Sequence, residues 1–367
     1  METKNNTTLI IDGNWLLMSR LGMIMDQFKK DQSQEDLTRA RNNMVDFVAQ
    51  SINKAINFWG NNIDNFIMVQ DGGSWRKTLE RPKLYTTTYK GNRVTADDIA
   101  WDYIWGALHD ICNAFKENNI LCVTEKLVEG DDWCWYWSRY LNHEGINAII
   151  WTSDADLKQL VQKDSSTGAW TAWYNDSKGL VLNQDLDRDS MDILLNFEAQ
   201  DPFLESICSQ TQSVTYINPD DVVMEKVICG DSGDNIKSIL RMETVNSKGD
   251  PRTIQVSKKE WGKVKEELGI TSFGGFVEKK MDIIKHLLNS KRFSKYDGDI
   301  NDVVDMFDFN IILVRLHKDQ IPHNIAMAMN KHKDEYIITD MDYLRNNYKV
   351  LAPQNEVVED LFKDIPF

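Results

Sequence analysis

Four short apolar runs organise the first half of the chain, each followed by a polar break and a longer stretch of mixed character. They are Thr8-Leu9-Ile10-Ile11, Phe66-Ile67-Met68-Val69, Ile120-Leu121-Cys122-Val123 and Ala148-Ile149-Ile150-Trp151. None alternates apolar with polar, so each predicts a strand buried on both faces. Between them, residues 36–59 place Leu37, Met44, Phe47, Val48, Ile52, Ala55 and Ile56 near a 3.6-residue period. Residues 96–118 and 130–142 also read as helices, and a further helix is expected after Ser153-Asp154-Ala155-Asp156. Strands alternating with helices predict an α/β domain whose central, mostly parallel sheet is flanked by helices.

The pattern changes beyond the fourth strand. Trp170–Tyr174 and Leu180–Leu182 predict a hairpin. Residues 184–213 hold seven acids and one base, Arg188, and read as an acidic insertion or surface loop with a short helix. From 219 onward the chain is expected to be mostly helical. The implied organisation is an α/β domain over 1–183, the insertion over 184–213, a helical region over 214–350 and a tail over 351–367. The length, 367 residues, agrees with about two domains at roughly 150 residues each.

Composition excludes several classes. With 42% apolar residues the chain can bury a sizeable core, and no stretch approaches the ~18 apolar residues of a membrane span. The polar start, Met1-Glu2-Thr3-Lys4-Asn5-Asn6, does not read as a signal peptide. Cys112, Cys122, Cys134, Cys208 and Cys229 are odd in number and show no zinc or redox spacing. Buried, reduced thiols in a cytoplasmic protein are expected. The net charge of −15 alone argues against nucleic-acid binding, yet residues 235–292 hold 13 Lys/Arg against 7 Asp/Glu. That stretch carries +6 and the remainder −21.

The acids fall where chemistry is expected. Ligands of a doubly wound sheet bind beyond the carboxyl ends of the strands. Asp12 follows the first strand, Asp71 the second, Glu129, Asp131 and Asp132 the third, and Asp154 and Asp156 the fourth. Asp231 and Asp234 lie in Gly230-Asp231-Ser232-Gly233-Asp234-Asn235. Singly, each is an ordinary turn residue, N-cap or first-turn acid. Together, nine carboxylates collected in one crevice must protonate or bind cations. Oxygen-only ligation suits Mg²⁺ or Mn²⁺, and paired divalent ions among carboxylates suit phosphodiester hydrolysis.

These motifs, in this order, resemble the structure-specific 5′ nucleases, the flap endonucleases and 5′-exonuclease domains. The residues concerned are Leu9-Ile10-Ile11-Asp12-Gly13-Asn14, Tyr89-Lys90-Gly91-Asn92-Arg93, Glu129-Gly130-Asp131-Asp132, Ser153-Asp154-Ala155-Asp156 and Gly230-Asp231-Ser232-Gly233-Asp234-Asn235-Ile236. Within the family the chain looks most like the T-even phage ribonuclease H. Ser74-Trp75-Arg76-Lys77 after Asp71, Asp98-Trp101-Asp102 and Ile321-Pro322-His323-Asn324-Ile325-Ala326 add to that likeness. The likeness spans roughly residues 7–180 and 219–330 and implies a PIN-like nuclease domain with a helical duplex-binding region.

The resemblance implies two Mg²⁺ ions, with Mn²⁺ able to substitute. Asp12, Asp71, Glu129, Asp131 and Asp132 would surround the first, and Asp154, Asp156, Asp231 and Asp234 the second, some through water. Lys90 and Arg93 match the basic residues at the gateway for the 5′ strand, and Arg76 and Lys77 match positions near the scissile phosphate. A helix–turn–helix after the Gly-Asp-x-x-Asp-Asn motif would grip duplex backbone. Three departures are visible: Gly130 where Ala is usual, Lys237-Ser238-Ile239 where Pro-Gly is common, and the length of 184–213. The implied substrates are branched or nicked DNA and RNA–DNA hybrid, in primer removal during phage or bacterial replication. A monomer in the (host) cytoplasm is expected.

Other features have competing readings. Lys237, Arg241, Lys258, Lys259, Lys263 and Lys265 are either a solvated face or phosphate contacts, with Gly269–Gly275 a turn presenting backbone N–H groups. Trp133 and Trp137 share a helical face and are expected in the core. The six histidines form no catalytic pattern. A haloacid-dehalogenase-like phosphatase is disfavoured, because Asn14 stands where its second acid is needed. A non-catalytic binding module is disfavoured by retention of all nine acids, since clustered unpaired carboxylates cost stability. In the tail, Asp360-Leu361-Phe362 resembles the end of sliding-clamp-binding peptides, and Asp364-Ile365-Pro366-Phe367 the acidic tip of single-stranded-DNA-binding proteins. Asp360, Leu361, Phe362, Ile365 and Phe367 are therefore candidate contacts to a replication partner; docking on the chain's own surface is the alternative.

Overall fold

The apolar runs form one sheet. In chain order the first unit contains β1 (Thr7–Asp12), α1 (Gly13–Ile24), α2 (Gln34–Trp59), β2 (Asn65–Val69), α3 (Trp101–Glu117), β3 (Leu121–Val123), α4 (Gly130–His143) and β4 (Asn147–Trp151). It continues with β5 (Gln162–Lys163), β6 (Trp170–Asn175), β7 (Gly179–Asn183), α5 (Pro202–Gln210) and β8 (Val214–Ile217). The structure is a computed structural model that describes residues 6–93, 96–186, 202–211, 213–245, 248–336, 341 and 344. The first unit comprises Met1–Gly73, Ala96–Ile217 and Pro322–Phe367; the second comprises Ser74–Thr95 and Asn218–Ile321.

Strand order is β3-β2-β1-β4-β6-β7-β8, with β5 paired to β6. β3, β2, β1, β4 and β6 run parallel, β7 reverses, and β8 pairs parallel with β7. The order reverses between β1 and β4, which makes the β1/β4 boundary a topological switch point. Asp12 is level with Val69, and Ile11 with Trp151, so the carboxyl ends finish side by side.

Alternation divides the strands between two cores. Leu9, Ile11, Phe66, Met68, Ile149 and Trp151 pack with residues of α1, α2 and α3. Ile10, Ile67 and Ile150, also fully buried, belong to the opposite face, where α4 brings Trp133, Trp137 and Leu141. The expectation of a sheet covered on both faces is therefore met, and Trp133 and Trp137 are core residues. Helix α2 spans about 39 Å at 1.5 Å per residue. Ser33 caps its start by accepting from the Asp36 N–H, and Gly60, with φ at +53°, ends it.

Four local expectations are corrected. The helix foreseen from 96 begins at Trp101, because Asp98 and Ala100 bond their backbones to Lys30 and Phe28 instead. The segment after β4 is a 3₁₀ turn over Ala155–Leu160 rather than an α-helix. α1 is absent from the sequence pattern, because it lacks a marked apolar stripe. The stretch read as insertion and helical region supplies β8, a sheet strand.

The second unit has its own core. It contains α6 (Pro219–Cys229), β9 (Arg241–Val245), β10 (Pro251–Gln255), α7 (Lys258–Glu267), α8 (Phe273–Glu278), α9 (Lys280–Leu288) and α10 (Ile300–Val314). Met224, Val227, Ile228, Phe276, Ile284 and Phe307 are its fully buried centre. Tyr85 and Tyr89 are buried in the same cluster, which ties the 74–95 segment to this unit. The β9–β10 hairpin interrupts the mostly helical region expected here; β9 alternates exposed and half-buried positions, and neither strand carries an apolar run. A last helix, His323–Asn330, returns to the first unit. No helix of the described residues is long and apolar enough to cross a membrane.

Candidate metal centre and nucleic-acid interface

In the first unit, seven of the predicted carboxylates sit at the carboxyl ends of β1 to β4 or in the turns that follow. Asp12 ends β1 and caps α1: one oxygen accepts from the Trp15 N–H at 3.0 Å, the other from the Thr152 hydroxyl at 2.8 Å. Thr152 is fully buried and also accepts from the Asp154 N–H at 3.1 Å, tying the end of β4 to the end of β1. Asp154 accepts from the Asp156 N–H at 2.8 Å and so caps the 3₁₀ turn. Thr152 is a positioning residue that the sequence did not reveal, because a lone Thr after a strand carries no signal.

Asp71 is held from two sides. Its N–H donates to the Asn14 side-chain oxygen at 2.9 Å, and its carboxylate accepts from the Gly130 N–H at 2.5 Å. A Cβ at Gly130 would stand 3.1 Å from that carboxylate oxygen, so glycine at this position governs how closely α4 approaches Asp71. A Cβ at Gly72 would stand 1.8 Å from the Glu125 carbonyl oxygen, so only glycine admits the 125–128 loop there. Gly72 also exchanges backbone bonds with Leu127 and Val128. Glu129 and Asp132 form a reciprocal capping box at the start of α4, and both are buried.

The electrostatics converge on one place. Burial pushes Asp12 up to about 6, and Asp71 and Asp154 add to the rise against the bonds from Trp15 and Thr152. The buried Cys134 thiol is driven well upward, by burial first and then by Asp12, Asp131, Asp154 and Asp71. Like charges confined this way favour protonation or a counter-cation. The donors are all carboxylate oxygens, which fits a hard divalent ion. Among the described residues no three His, Cys, Asp or Glu side chains form a ready ligand set. Asp12, Asp71 and Asp154 each accept from N–H or hydroxyl donors. Mg²⁺ retains several waters and takes only one or two carboxylates directly, so it does not require a closed cage.

In the second unit, Asp231 and Asp234 are engaged differently. Burial alone would raise Asp231, but Lys226, beside it, and the N–H groups of Gly233 and Asp234 hold its carboxyl below the usual range. Asp234 accepts from Arg93 at 2.7 Å and from the Tyr89 hydroxyl at 3.3 Å, and its carbonyl accepts from the Lys90 N–H at 2.8 Å. The Asn235 side chain donates to the Thr88 carbonyl, Tyr85 donates to the Asn235 carbonyl, and Asn92 donates to the Ser232 carbonyl. The segment bearing Lys90 and Arg93 is thus threaded onto the Gly230–Asn235 loop. Lys90 has φ at +53° and carries its ammonium 5.1 Å from the Tyr89 ring centroid. Arg76 is buried with its guanidinium over the Trp75 ring, and Lys77 is exposed.

The predicted helix–turn–helix exists as α7, the 268–272 turn and α8. Two of its backbone donors are engaged within the chain: the Phe273 N–H bonds Asp220 and the Gly275 N–H bonds the Ser272 hydroxyl. Lys258 pairs with Glu225 and Lys265 with Asp221, while Lys259 and Lys263 are exposed. Lys237 and Arg241 lie before and at the start of β9, away from α7 in the chain. The tail residues Asp360, Leu361, Phe362, Ile365 and Phe367 lie outside the described residues.

The fold matches solved structures of bacteriophage T5. A T5 protein co-crystallised with metal ions superposes with a TM-score of 0.53 at 16% identity, covering 95% of this chain and 100% of that one. The T5 flap endonuclease, in a pseudo-enzyme-product complex with DNA and metal ions, gives 0.54 at 16% identity, covering 90% and 97%. The T5 5′-exonuclease with bound zinc gives 0.52 at 16% identity, covering 90% and 98%. Likeness at this identity establishes the fold: a PIN-like domain of the 5′-nuclease type. No protein-family model matches the chain, and no curated protein matches it in sequence.

Proposed function

We propose that the chain is a divalent-metal-dependent phosphodiester hydrolase acting as a 5′–3′ exonuclease and flap endonuclease. One observation carries the reading: seven carboxylates lie at or just after the carboxyl ends of β1 to β4, around the switch point of a 5′-nuclease fold, where burial and then Asp71 and Asp154 push Asp12 up to about 6. Asp12, Asp71, Glu129, Asp131 and Asp132 would surround one Mg²⁺, most of them through its bound waters, and Asp154 and Asp156 would contribute to a second. Bound there, such ions lower the pKa of water and stabilise charge on a phosphate oxygen. Thr152, Asn14 and Gly130 fix the directions of Asp12 and Asp71. Lys90, Arg93 and Lys77 supply positive charge for a phosphodiester. The finer reading is ribonuclease H-type primer removal in phage or bacterial replication, in a cytoplasmic setting.

A 5′-labelled flap, a nicked duplex and an RNA–DNA hybrid, each incubated with Mg²⁺, with Mn²⁺ and with EDTA, test this. Cleavage from the 5′ side with either metal, and none with EDTA, is expected. Cleavage that persists in EDTA overturns the reading.

A further inference from the structure

Within the second unit, a cleft of about 890 Å³ opens between the 84–86 segment, the start of β9 and the 291–298 loop. Lys237, Arg241, Lys291, Arg292 and Lys295 line it, against Glu243 and Asp297. Five bases against two acids give +3 in a chain whose total is −15. Glu243 is paired with Arg241 and accepts from the Thr253 hydroxyl, and Arg292 is paired with Glu260 at 3.5 Å, so Lys237, Lys291 and Lys295 carry the excess positive charge of the cleft. Lys237 is held below its ordinary range by burial and by the nearby Arg241 guanidinium, a sign of crowded positive charge. Leu84, Met242 and Tyr296 add apolar and aromatic surface to the same walls.

The lining decides what fits. Clefts of about 300–1,000 Å³ that take small molecules are mostly apolar with few polar groups. This one is rich in cations and broadly open, so it suits a repeating anion. A duplex is met by elements that protrude into grooves about 6 or 12 Å wide, whereas a concave basic cleft with an aromatic wall suits one sugar–phosphate strand. We propose that this cleft holds a single strand of nucleic acid, at a place separate from α7 and α8. The proposal rests on the nuclease reading for the identity of the polymer.

Lys291 and Lys295 are exposed and are distinct from the groups that would serve metal or duplex. The test pairs Lys291→Ala/Lys295→Ala with the charge reversal Lys291→Glu/Lys295→Glu. Binding of fluorescent oligo-dT and of a blunt duplex is measured in EDTA, with thermal melting to verify folding. Oligo-dT affinity should fall, more for the reversal. The slope of log affinity against log salt should shrink by about 1.4 for the alanine pair, at about 0.7 for each single-strand phosphate that a lysine no longer neutralises. Duplex affinity should be unchanged. Oligo-dT binding unaltered in the folded reversal variant, or duplex and oligo-dT losses of equal size, overturns the cleft assignment. The binding arms contain no metal, so a wild-type protein that cleaves nothing would defeat the nuclease reading while leaving this result to stand or fall by itself.

Discussion

Asp12 in the first unit is buried with Asp71 and Asp154 as its charged neighbours and is pushed up to about 6. Asp231 in the second unit is half-buried, yet Lys226 and two backbone N–H groups hold it below the usual range. Asp234 likewise meets Arg93 and Tyr89. In sequence both regions read as acidic metal sites, but they handle charge in opposite ways. At the strand ends, Asp12 accepts from the neutral Trp15 N–H and Thr152 hydroxyl and is raised further by Asp71 and Asp154, an arrangement that a cation would stabilise. In the Gly230–Asn235 loop, Asp231 is paired with Lys226 and Asp234 with Arg93, and the second pair ties the loop to the basic segment.

The largest effect should come from the strand ends. Asp71→Asn or Asp132→Asn removes a group placed to hold the ion, and cleavage should fall by at least about a hundredfold. Duplex affinity in EDTA should be unchanged or improved, since negative charge is removed. Near-normal turnover in both variants would defeat the metal assignment and, with it, the difference between the two regions.

Arg93 comes next. If its main task is to satisfy Asp234, Arg93→Ala leaves a half-buried carboxylate without its ion pair, and Arg93→Ala/Asp234→Asn should recover stability. If the guanidinium also acts on the reacting phosphate, kcat should remain depressed by roughly tenfold or more in the double variant. Stability and rate recovering together would reduce Arg93 to an anchoring residue. Lys90→Ala should lower rate more than duplex affinity, and equal losses would make it a general phosphate ligand.

The proposed duplex grip should give a smaller effect, and the structure separates its four lysines into two pairs. Lys258 and Lys265 are paired with acids of α6, whereas Lys259 and Lys263 face solvent. Lys259→Ala/Lys263→Ala should reduce the salt slope of duplex binding by about 1.8, at about 0.9 per phosphate. The Lys258→Ala/Lys265→Ala pair should change it less. An identical slope change for the two pairs would mean that the ion pairs with α6 do not restrain these side chains.

Much of the first unit was legible because its strands are uninterrupted apolar runs and its acids follow them directly. The helix after Glu129-Gly130-Asp131-Asp132 was legible for the same reason: Trp133 and Trp137 repeat on one face. What escaped notice depends on partners distant in sequence. Thr152 matters because β4 lies beside β1, and Arg76 is buried by its stacking on Trp75, which composition cannot show. The Phe273 N–H is taken by Asp220, some fifty residues earlier in the chain, and the Gly275 N–H by Ser272. The β9–β10 hairpin lacked any apolar run, so only its pairing reveals it.

The smallest effect concerns an acid that belongs to neither site. Asp46, in α2, is buried, one of its carboxylate oxygens has no hydrogen-bond partner among the described residues, and burial raises it to about 6. The shift resembles that of Asp12 in size, but burial is its cause without help from other acids, so it serves to separate burial from clustering. In the unfolded chain Asp46 titrates near its ordinary value of 3.8. Below that pH both states are protonated and no penalty exists. Between the two values the folded state binds more protons, so stability falls as pH rises. Above about 6 the penalty is complete, at most on the order of 3 kcal/mol for a shift of about two units. Asp46→Asn removes the charge at nearly constant volume. It should therefore stabilise the protein, by about 1 kcal/mol more at pH 8 than at pH 5, as read from urea unfolding at the two values. Cleavage should not change. A gain equal at both pH values would mean that Asp46 is not protonated more readily in the folded state. Burial would then be insufficient to raise an isolated carboxylate in this fold, and the rise at Asp12 would have to come chiefly from its neighbours.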